Sequence, residues 1–271
     1  MKRRIIVLID FSEDSRQLLR FAYHIAAAQK VGMLLLHQSS VPLPGFAGQE
    51  IKEKYKSEGT RESLAKLKKF AAELLGEVKG MRFKVSSSHI AETVEELFAA
   101  NSTDFLFVGV KNKQLIERLF IGDTAVKLVN HTDNIIIVLP ENCQQFTLKN
   151  FCVGLVEKYS LNTKAFDQVL ALSGNVERIR FFSIVRPRQD LSIIKSYLSR
   201  HVAKYDAFKD VAWEIRPSSG EAAGMNEYTQ ENDAVLVLQK GTRKMADILR
   251  PFFVSKMLAE AKVPVIVLPQ P

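Results

Sequence analysis

The chain has 271 residues, of which 46% are hydrophobic and 25% are charged, and its formal net charge is +8. These values are ordinary for globular proteins and leave room for two domains. No apolar run reaches the roughly 18 residues that a membrane span needs, and the positive charge is spread along the chain without the signature of a nucleic-acid-binding module.

The first predicted element is a strand over residues 3–9, whose apolar run is typical of a strand buried on both faces. Basic residues precede it, as in a signal peptide, but the run is short, ends at Asp10 and lacks a small-residue cleavage site. The two cysteines, Cys143 and Cys152, fit a reducing compartment and are expected to be thiols rather than a disulfide or a metal pair. The sequence therefore predicts a cytoplasmic protein.

Strands and helices alternate through the first half of the chain. Ser12 is the expected N-cap of a helix that continues to about Gln29, and Glu13 and Asp14 lie in its first turn, where the helix dipole favours them. The next predicted elements are a strand over 33–38, a helix ending near 75, a strand over 82–88, a helix over 91–100, and strands over 104–109 and 134–140. Such alternation is typical of an open parallel sheet with helices on both faces.

The second half repeats this pattern. Residues 104–140, shifted by 129 positions without a gap, align with residues 233–269, so that Asp104 meets Asp233 and both segments end in Ile-Val-Leu-Pro. The predicted elements are a strand over 151–156, a helix from about 163, a strand over 178–185, a helix from about 191, a strand over 211–216, a short helix near 227, a strand over 234–238, a last helix and a strand over 263–269. A polar linker near 142–150 separates predicted domains at 1–142 and 150–271.

Four features of the sequence carry a family resemblance: Asp10, the glycines after the fourth strand, the internal repeat and the order of the elements. By these features the chain resembles a tandem universal stress protein over nearly its whole length. The resemblance implies an α/β fold of two tandem open five-stranded parallel sheets, in the order 3-2-1-4-5 and flanked by helices. It also implies that the two domains pair through their last strands, which covers an exposed strand edge. Such chains often form homodimers.

Nucleotide-binding members of that family carry an aspartate at the end of the first strand, where it contacts the adenosine. After the fourth strand they carry a pattern of Gly, two residues, Gly, nine residues, Gly, and then Ser or Thr. The positions of this chain that correspond to these features are Asp10, Gly109, Asn112, Gly122, Asp123 and Thr124. Asn112 and Asp123 depart from the pattern, and Thr124 lies one residue beyond the Ser/Thr position.

Asp123 leaves several roles open for this loop. As a helix N-cap, its carboxylate would accept the N–H groups that a phosphate needs, and at about 4 Å it would repel a phosphate by roughly 1–4 kcal/mol. Alternatively, Thr124 supplies the hydroxyl ligand, or Asp123 holds a Mg²⁺ ion that bridges to the phosphates. Asp10 has a similar pair of roles, as a ligand contact or as a cap of the strand–helix turn. His37, at the end of the second strand, is expected to be a packed or rim residue rather than a catalyst.

In the second half, the first strand ends without an aspartate. On the ungapped repeat, Leu238 takes the place of the first glycine, and Pro251 and Phe252 replace the last two positions. Because proline removes an N–H donor and phenylalanine adds bulk, no nucleotide is expected there.

The sequence therefore predicts a stress-response regulatory protein whose first domain binds ATP or another adenine nucleotide weakly, with Mg²⁺ only alongside the nucleotide. The alternative is an interaction protein of the same fold that binds no nucleotide. A slow ATPase is a third reading, but the sequence has no Walker A motif and no base placed beside a nucleophile, so an enzyme is not predicted.

Overall fold

The computed structural model describes residues 3–39, 48–76, 78–100, 104–110, 134–140, 143, 147–157, 160–185, 190–217, 234–239 and 263–271. The predicted loop positions that lie outside these ranges are Asn112, Gly122, Asp123 and Thr124. The predicted helix near residue 227 and the helix that follows the fourth strand of each half also lie outside them.

The described elements follow the predicted order in both halves. The first half contains β1 (Arg4–Leu8), α1 (Glu13–Gln29), β2 (Gly32–Gln38), α2 (Gln49–Leu75), β3 (Arg82–Ser86), α3 (Ile90–Ala100), β4 (Phe105–Val110) and β5 (Ile135–Pro140). The second half contains β6 (Asn150–Gly154), α4 (Thr163–Ser173), β7 (Arg178–Val185), α5 (Leu191–Lys204), β8 (Val211–Pro217), β9 (Val235–Gln239) and β10 (Val265–Leu268).

All described strands belong to one ten-stranded sheet in the order β3-β2-β1-β4-β5-β10-β9-β6-β7-β8. The strands within each half are parallel, whereas β5 and β10 pair antiparallel, with Ile137 opposite Ile266. Each half therefore has the order 3-2-1-4-5, and the predicted α/β fold with open parallel sheets flanked by helices is confirmed. The two sheets are joined edge to edge into one.

Short polar side chains define where the helices begin. The Ser12 hydroxyl accepts a hydrogen bond from the Ser15 N–H at 3.2 Å, and the Asn162 side chain accepts one from the Ala165 N–H at 2.9 Å. Each bond satisfies a backbone donor that the first turn of a helix would otherwise leave without a partner. At the other end of α4, Gly174 has φ 73°, a left-handed conformation that suits glycine.

The sheet is covered on both faces. Helices α1, α2, α4 and α5 contribute buried side chains to a cluster on one face, and α3 contributes Ala91, Val94 and Phe98 to a cluster on the other. Helices α1 and α4 contact each other, and the Gln29 amide donates a hydrogen bond to the Ser173 carbonyl at 3.4 Å. In the described part of the chain, no helix has the length and apolar character that a bilayer crossing needs.

The end of the predicted linker is packed rather than loose. Leu148 is buried, and the Lys149 carbonyl accepts a hydrogen bond from the Glu177 N–H at 2.9 Å. Strand β6 begins at Asn150, one residue before the predicted strand, and ends at Gly154. The last part of the linker therefore belongs to the folded second half.

Candidate functional site

The strand order of each half changes direction between its first and fourth strands. Open α/β sheets bind ligands in the crevice outside the carboxyl ends of the strands at such a switch point. In the N-terminal half, the switch point lies between β1 and β4. Residues 9–15, which connect β1 to α1, and Gly109, near the end of β4, therefore form the candidate site.

Asp10 organises the turn between β1 and α1. Its Oδ1 atom accepts hydrogen bonds from the Ser12 N–H at 2.9 Å, from the Ser15 hydroxyl at 2.6 Å and from the Ser12 hydroxyl. The Asp10 N–H in turn donates to the Ser15 hydroxyl oxygen at 3.0 Å. Ser15 is buried whereas Asp10 is exposed, so a buried hydroxyl helps to hold an exposed carboxylate in one position at the switch point.

Phe11 has φ 63°, a left-handed conformation that costs a residue with a side chain of order 1–3 kcal/mol. Surrounding contacts hold it there. Its ring centroid lies 4.4 Å from that of His37 and 5.6 Å from that of Phe70, and the Lys66 ammonium lies 4.2 Å from it. These four side chains form an aromatic and basic rim beside Asp10, of which sequence reasoning anticipated only His37.

His37 is a packed residue of this rim. Its Nδ1 atom lies 2.7 Å from the Ile9 carbonyl oxygen. Since a carbonyl can only accept, Nδ1 carries the proton, and Nε2 is the acceptor nitrogen when the ring is neutral. His37 thereby ties the end of β2 to the end of β1.

Gly109 lies opposite Leu139 near the carboxyl end of β4. A Cβ atom added at this glycine would lie 3.7 Å from Leu18 Cδ2 and 3.9 Å from the Asp14 carbonyl oxygen, which are ordinary van der Waals distances. Within the described residues, the space around Gly109 therefore accepts a side chain. A need for glycine at this position would come from the loop that follows or from a ligand.

The first turn of α1 is acidic. Glu13 and Asp14 lie in this turn, directly after Asp10 and Ser12. Carboxylates at this end of the helix repel a phosphate that would otherwise be attracted by the helix dipole. This part of the site therefore suits hydroxyl or amino donors rather than phosphate.

The structure thus places Asp10 and Gly109 on the two sides of one crevice. Asp10 has the turn-capping role, and its contact with a ligand stays a prediction. The contributions of Asn112, Gly122, Asp123 and Thr124 lie outside the described residues. Among the residues that are described, no group of three or more His, Cys, Asp or Glu side chains is arranged to hold a metal ion.

In the C-terminal half, the residue in the place of Gly109 is Gln239. Strands β1 and β6 are matched by their pairing with β2 and β7, and on this match Val237 of β9 takes the place of Phe107 in β4. Gln239 follows Val237 by two residues, as Gly109 follows Phe107. The prediction that Leu238 occupies this place was therefore wrong by one residue, and Leu238 belongs to the apolar cluster that contains α3.

The error comes from the ungapped repeat. Leu106 pairs with Ile136, 30 residues later, whereas Leu236 pairs with Val265, only 29 residues later. An alignment without gaps that fits the last strands is therefore one residue out of step at the fourth strands. A shift of one residue exchanges the two faces of a strand, so it decides which side chain reaches the site.

Gln239 fills the crevice of the C-terminal half. Its Oε1 atom accepts a hydrogen bond from the Asn162 N–H at 2.7 Å, and its Nε2 atom donates to the Pro269 carbonyl at 2.6 Å. Asn162 Nδ2 donates to the Gln270 carbonyl at 2.8 Å. The switch point between β6 and β9 is thus crossed by the chain's own side chains, and among the described residues that follow β6 no aspartate takes the place of Asp10.

The comparisons with known proteins agree with this architecture. A universal stress protein from Archaeoglobus fulgidus DSM 4304 is 13% identical with a TM-score of 0.64, and the match covers 98% of this chain and 96% of that one. A functionally unknown protein from Pseudomonas aeruginosa PAO1 is 13% identical with a TM-score of 0.57, over 100% of this chain and 93% of that one. At such identities the likeness shows the fold alone.

No curated protein matches the chain. The family model described as "Universal stress protein family" matches residues 1–140, which is more than half of the 271 residues. This match covers β1 to β5, including the Asp10 turn and the β4 end of the crevice. The chain therefore belongs to the universal stress protein family.

Proposed function

We propose that the chain is a stress-response regulatory protein whose N-terminal half binds an adenine nucleotide weakly at the switch point beside Asp10. The observation that carries this proposal is the difference between the two halves. The N-terminal crevice presents a held carboxylate opposite a glycine, whereas Gln239 and Asn162 cross the equivalent crevice. Binding of the nucleotide changes the conformation of the protein or its binding to a partner.

The roles follow from the chemistry of the crevice. The Asp10 carboxylate accepts hydrogen bonds from the hydroxyl or amino donors of the nucleoside, and the Phe11 and His37 rim lies beside it. The phosphates extend to the loop after β4, which contains Asn112, Gly122, Asp123 and Thr124, and Mg²⁺ accompanies them. The acidic first turn of α1 favours this orientation over the reverse one.

The hydrogen bonds within the Asp10 turn are the reason to expect weak binding. Asp10 Oδ1 already accepts three hydrogen bonds from its own turn, so a ligand adds to a carboxylate that is engaged. A hydrogen bond to a charged group contributes about 1.5–3 kcal/mol, which corresponds to roughly ten- to a hundredfold in affinity.

Calorimetry of the purified protein with ATP and Mg²⁺ tests the proposal, with Asp10→Ala as the variant. The matched control is Asp190→Ala, because the Asp190 carboxylate accepts from the Ser192 N–H and hydroxyl in the same local geometry, at 2.8 and 2.6 Å. We expect Asp10→Ala to weaken ATP binding by about tenfold or more, and Asp190→Ala to leave it unchanged.

Absence of heat at high micromolar ATP would overturn the proposal. It would favour the alternative, an interaction protein of the same fold in which Asp10 serves the turn alone; the three bonds within that turn are the observation that supports this alternative. Equal losses from both aspartate variants would show that the effect arises from helix capping and not from ligand contact.

We also place the protein in the cytoplasm and expect a homodimer. Cys143 and Cys152 are both buried thiols, which fits a reducing compartment. Cell fractionation tests the location, and light scattering of the purified protein tests the assembly.

A further inference from the structure

An amide clamp joins three segments at the carboxyl ends of β6 and β9. We use this name for Gln239 together with Asn162. Gln239, at the end of β9, bonds to the Asn162 backbone ahead of α4 and to the Pro269 carbonyl after β10. Asn162 bonds to the Pro269 and Gln270 carbonyls at 3.3 and 2.8 Å. The clamp therefore ties residues 269–270 to the start of α4 and to the end of β9 at the switch point of the C-terminal half.

Burial indicates that these bonds are essential to the local structure. Gln239 is 9% exposed and follows four buried apolar residues of β9. A buried amide that loses its partners leaves polar groups without hydrogen bonds, which destabilises the structure around it. Both ends of the Gln239 amide have a partner, and Asn162 uses its other atom, Oδ1, to cap α4. One network thus supports the helix start and the segment after β10.

The N-terminal half lacks the means to build such a clamp. Gly109 has no side chain, and the N-cap residue Ser12 follows the end of β1 at Leu8 by four positions. In the C-terminal half, Asn162 follows the end of β6 at Gly154 by eight positions. The longer connection brings a backbone N–H to Gln239, so two separate differences from the first half converge on one contact.

We propose that Gln239 closes the C-terminal half by tying Asn162 and residues 269–270 together at its switch point, so that this half takes no ligand there because its own chain occupies the place. The difference between Gly109 and Gln239 thus allows this clamp in the second half and not in the first. The inference shares the Gln239 contacts with the proposed function, but its test is made without nucleotide, so that a failure of nucleotide binding and a failure of the clamp are distinguished.

The first experiment measures amide hydrogen exchange in Gln239→Ala. We expect the Asn162 amide, which donates to Gln239, to exchange at least tenfold faster, and the Ala165 amide, which Asn162 caps, to exchange severalfold faster. The matched control is Gln29→Ala, which removes another glutamine amide that donates to a backbone carbonyl, between α1 and α4. It should leave both amides unchanged.

The second variant, Gln239→Glu, keeps the shape and the acceptor but places an oxygen against the Pro269 carbonyl. We expect Asn162 exchange to stay within about twofold of the wild-type rate, while the ¹H–¹⁵N heteronuclear NOE of Gln270 falls as residues 269–270 are released. Unchanged exchange at Asn162 in the alanine variant, or an unchanged NOE at Gln270 in both variants, would overturn the proposal.

Discussion

Asp104 and Arg4 form an ion pair at the amino ends of β4 and β1. The Asp104 side chain is fully buried, the Arg4 side chain is 17% exposed, and Arg4 Nε donates to Asp104 Oδ2 at 2.9 Å. Strand register puts Asn150 and Ala234 at the same two places in the second half. The first half therefore has an ion pair where the second half has two uncharged residues.

The difference between the two halves predicts that Arg4 and Asp104 are strongly coupled in their effect on stability. Asp104→Ala leaves a largely buried guanidinium without its carboxylate and should cost about 3 kcal/mol in the free energy of unfolding. The double variant Arg4→Asn with Asp104→Ala copies the second half and should recover most of that loss. Urea unfolding of the two single variants and the double variant measures the coupling, and additive losses would contradict it.

The residues of the candidate site differ in how far the sequence could predict them. Asp10 and Gly109 were identified from spacing and from the family resemblance, since both lie next to apolar strands that are readily recognised. Phe11 was missed because its left-handed conformation depends on the rings of His37 and Phe70, which are remote in sequence. The feature of the sequence that could have indicated Phe11 is an aromatic residue directly after Asp10.

Helix α5 packs on β7 through rings. The His201 ring centroid lies 5.5 Å from that of Phe181 and 4.8 Å from that of Tyr197. Burial lowers the pKa of the His201 imidazole, and the charges of Arg200 and Lys204 lower it further. The contact between the helix and the sheet therefore favours the neutral ring.

The lowered pKa makes this contact sensitive to acid. As the pH falls below the ordinary histidine pKa of about 6.5, the unfolded chain gains a proton that the folded protein resists, so stability decreases until the folded pKa is passed. His201→Phe removes this loss and should give a shallower decrease in unfolding midpoint between about pH 7 and pH 5. Equal slopes for the wild type and the variant would contradict the assignment.

Element boundaries were predictable where the signal is local. Ser12 and the acidic residues after it marked the start of α1, and the apolar runs marked the strands. The alignment of β9 with β4 was not predictable, because strand register depends on partners and the repeat conceals a one-residue difference. Gln239 was a visible signal, since it is an amide at the end of a run of buried apolar residues.

The whole molecule has a core that crosses the boundary between its halves. One cluster of buried and partly buried residues contains side chains from β1 through β10, and α1 contacts α4. The antiparallel pairing of β5 with β10 makes the sheet continuous. These contacts favour unfolding as one unit rather than as two independent domains.

Trp213 is the single tryptophan and lies in β8, at the outer edge of the second half. If the halves unfold together, the urea midpoint of Trp213 fluorescence should coincide with the midpoint of far-ultraviolet circular dichroism, which reports on both halves. The calorimetric and van't Hoff enthalpies should also agree. Separate midpoints would show that the shared core does not couple the halves.

The antiparallel pairing of β5 with β10 also determines where the switch points of the two halves lie. Because all strands of one half run opposite to those of the other, the carboxyl ends of β4 and β9 point to opposite poles of the sheet. Asp10 and Gly109 lie at one pole, and the amide clamp of Gln239 and Asn162 lies at the other. If the proposed nucleotide binds beside Asp10, a partner that responds to it approaches one pole of the sheet, and the opposite pole is left for other contacts.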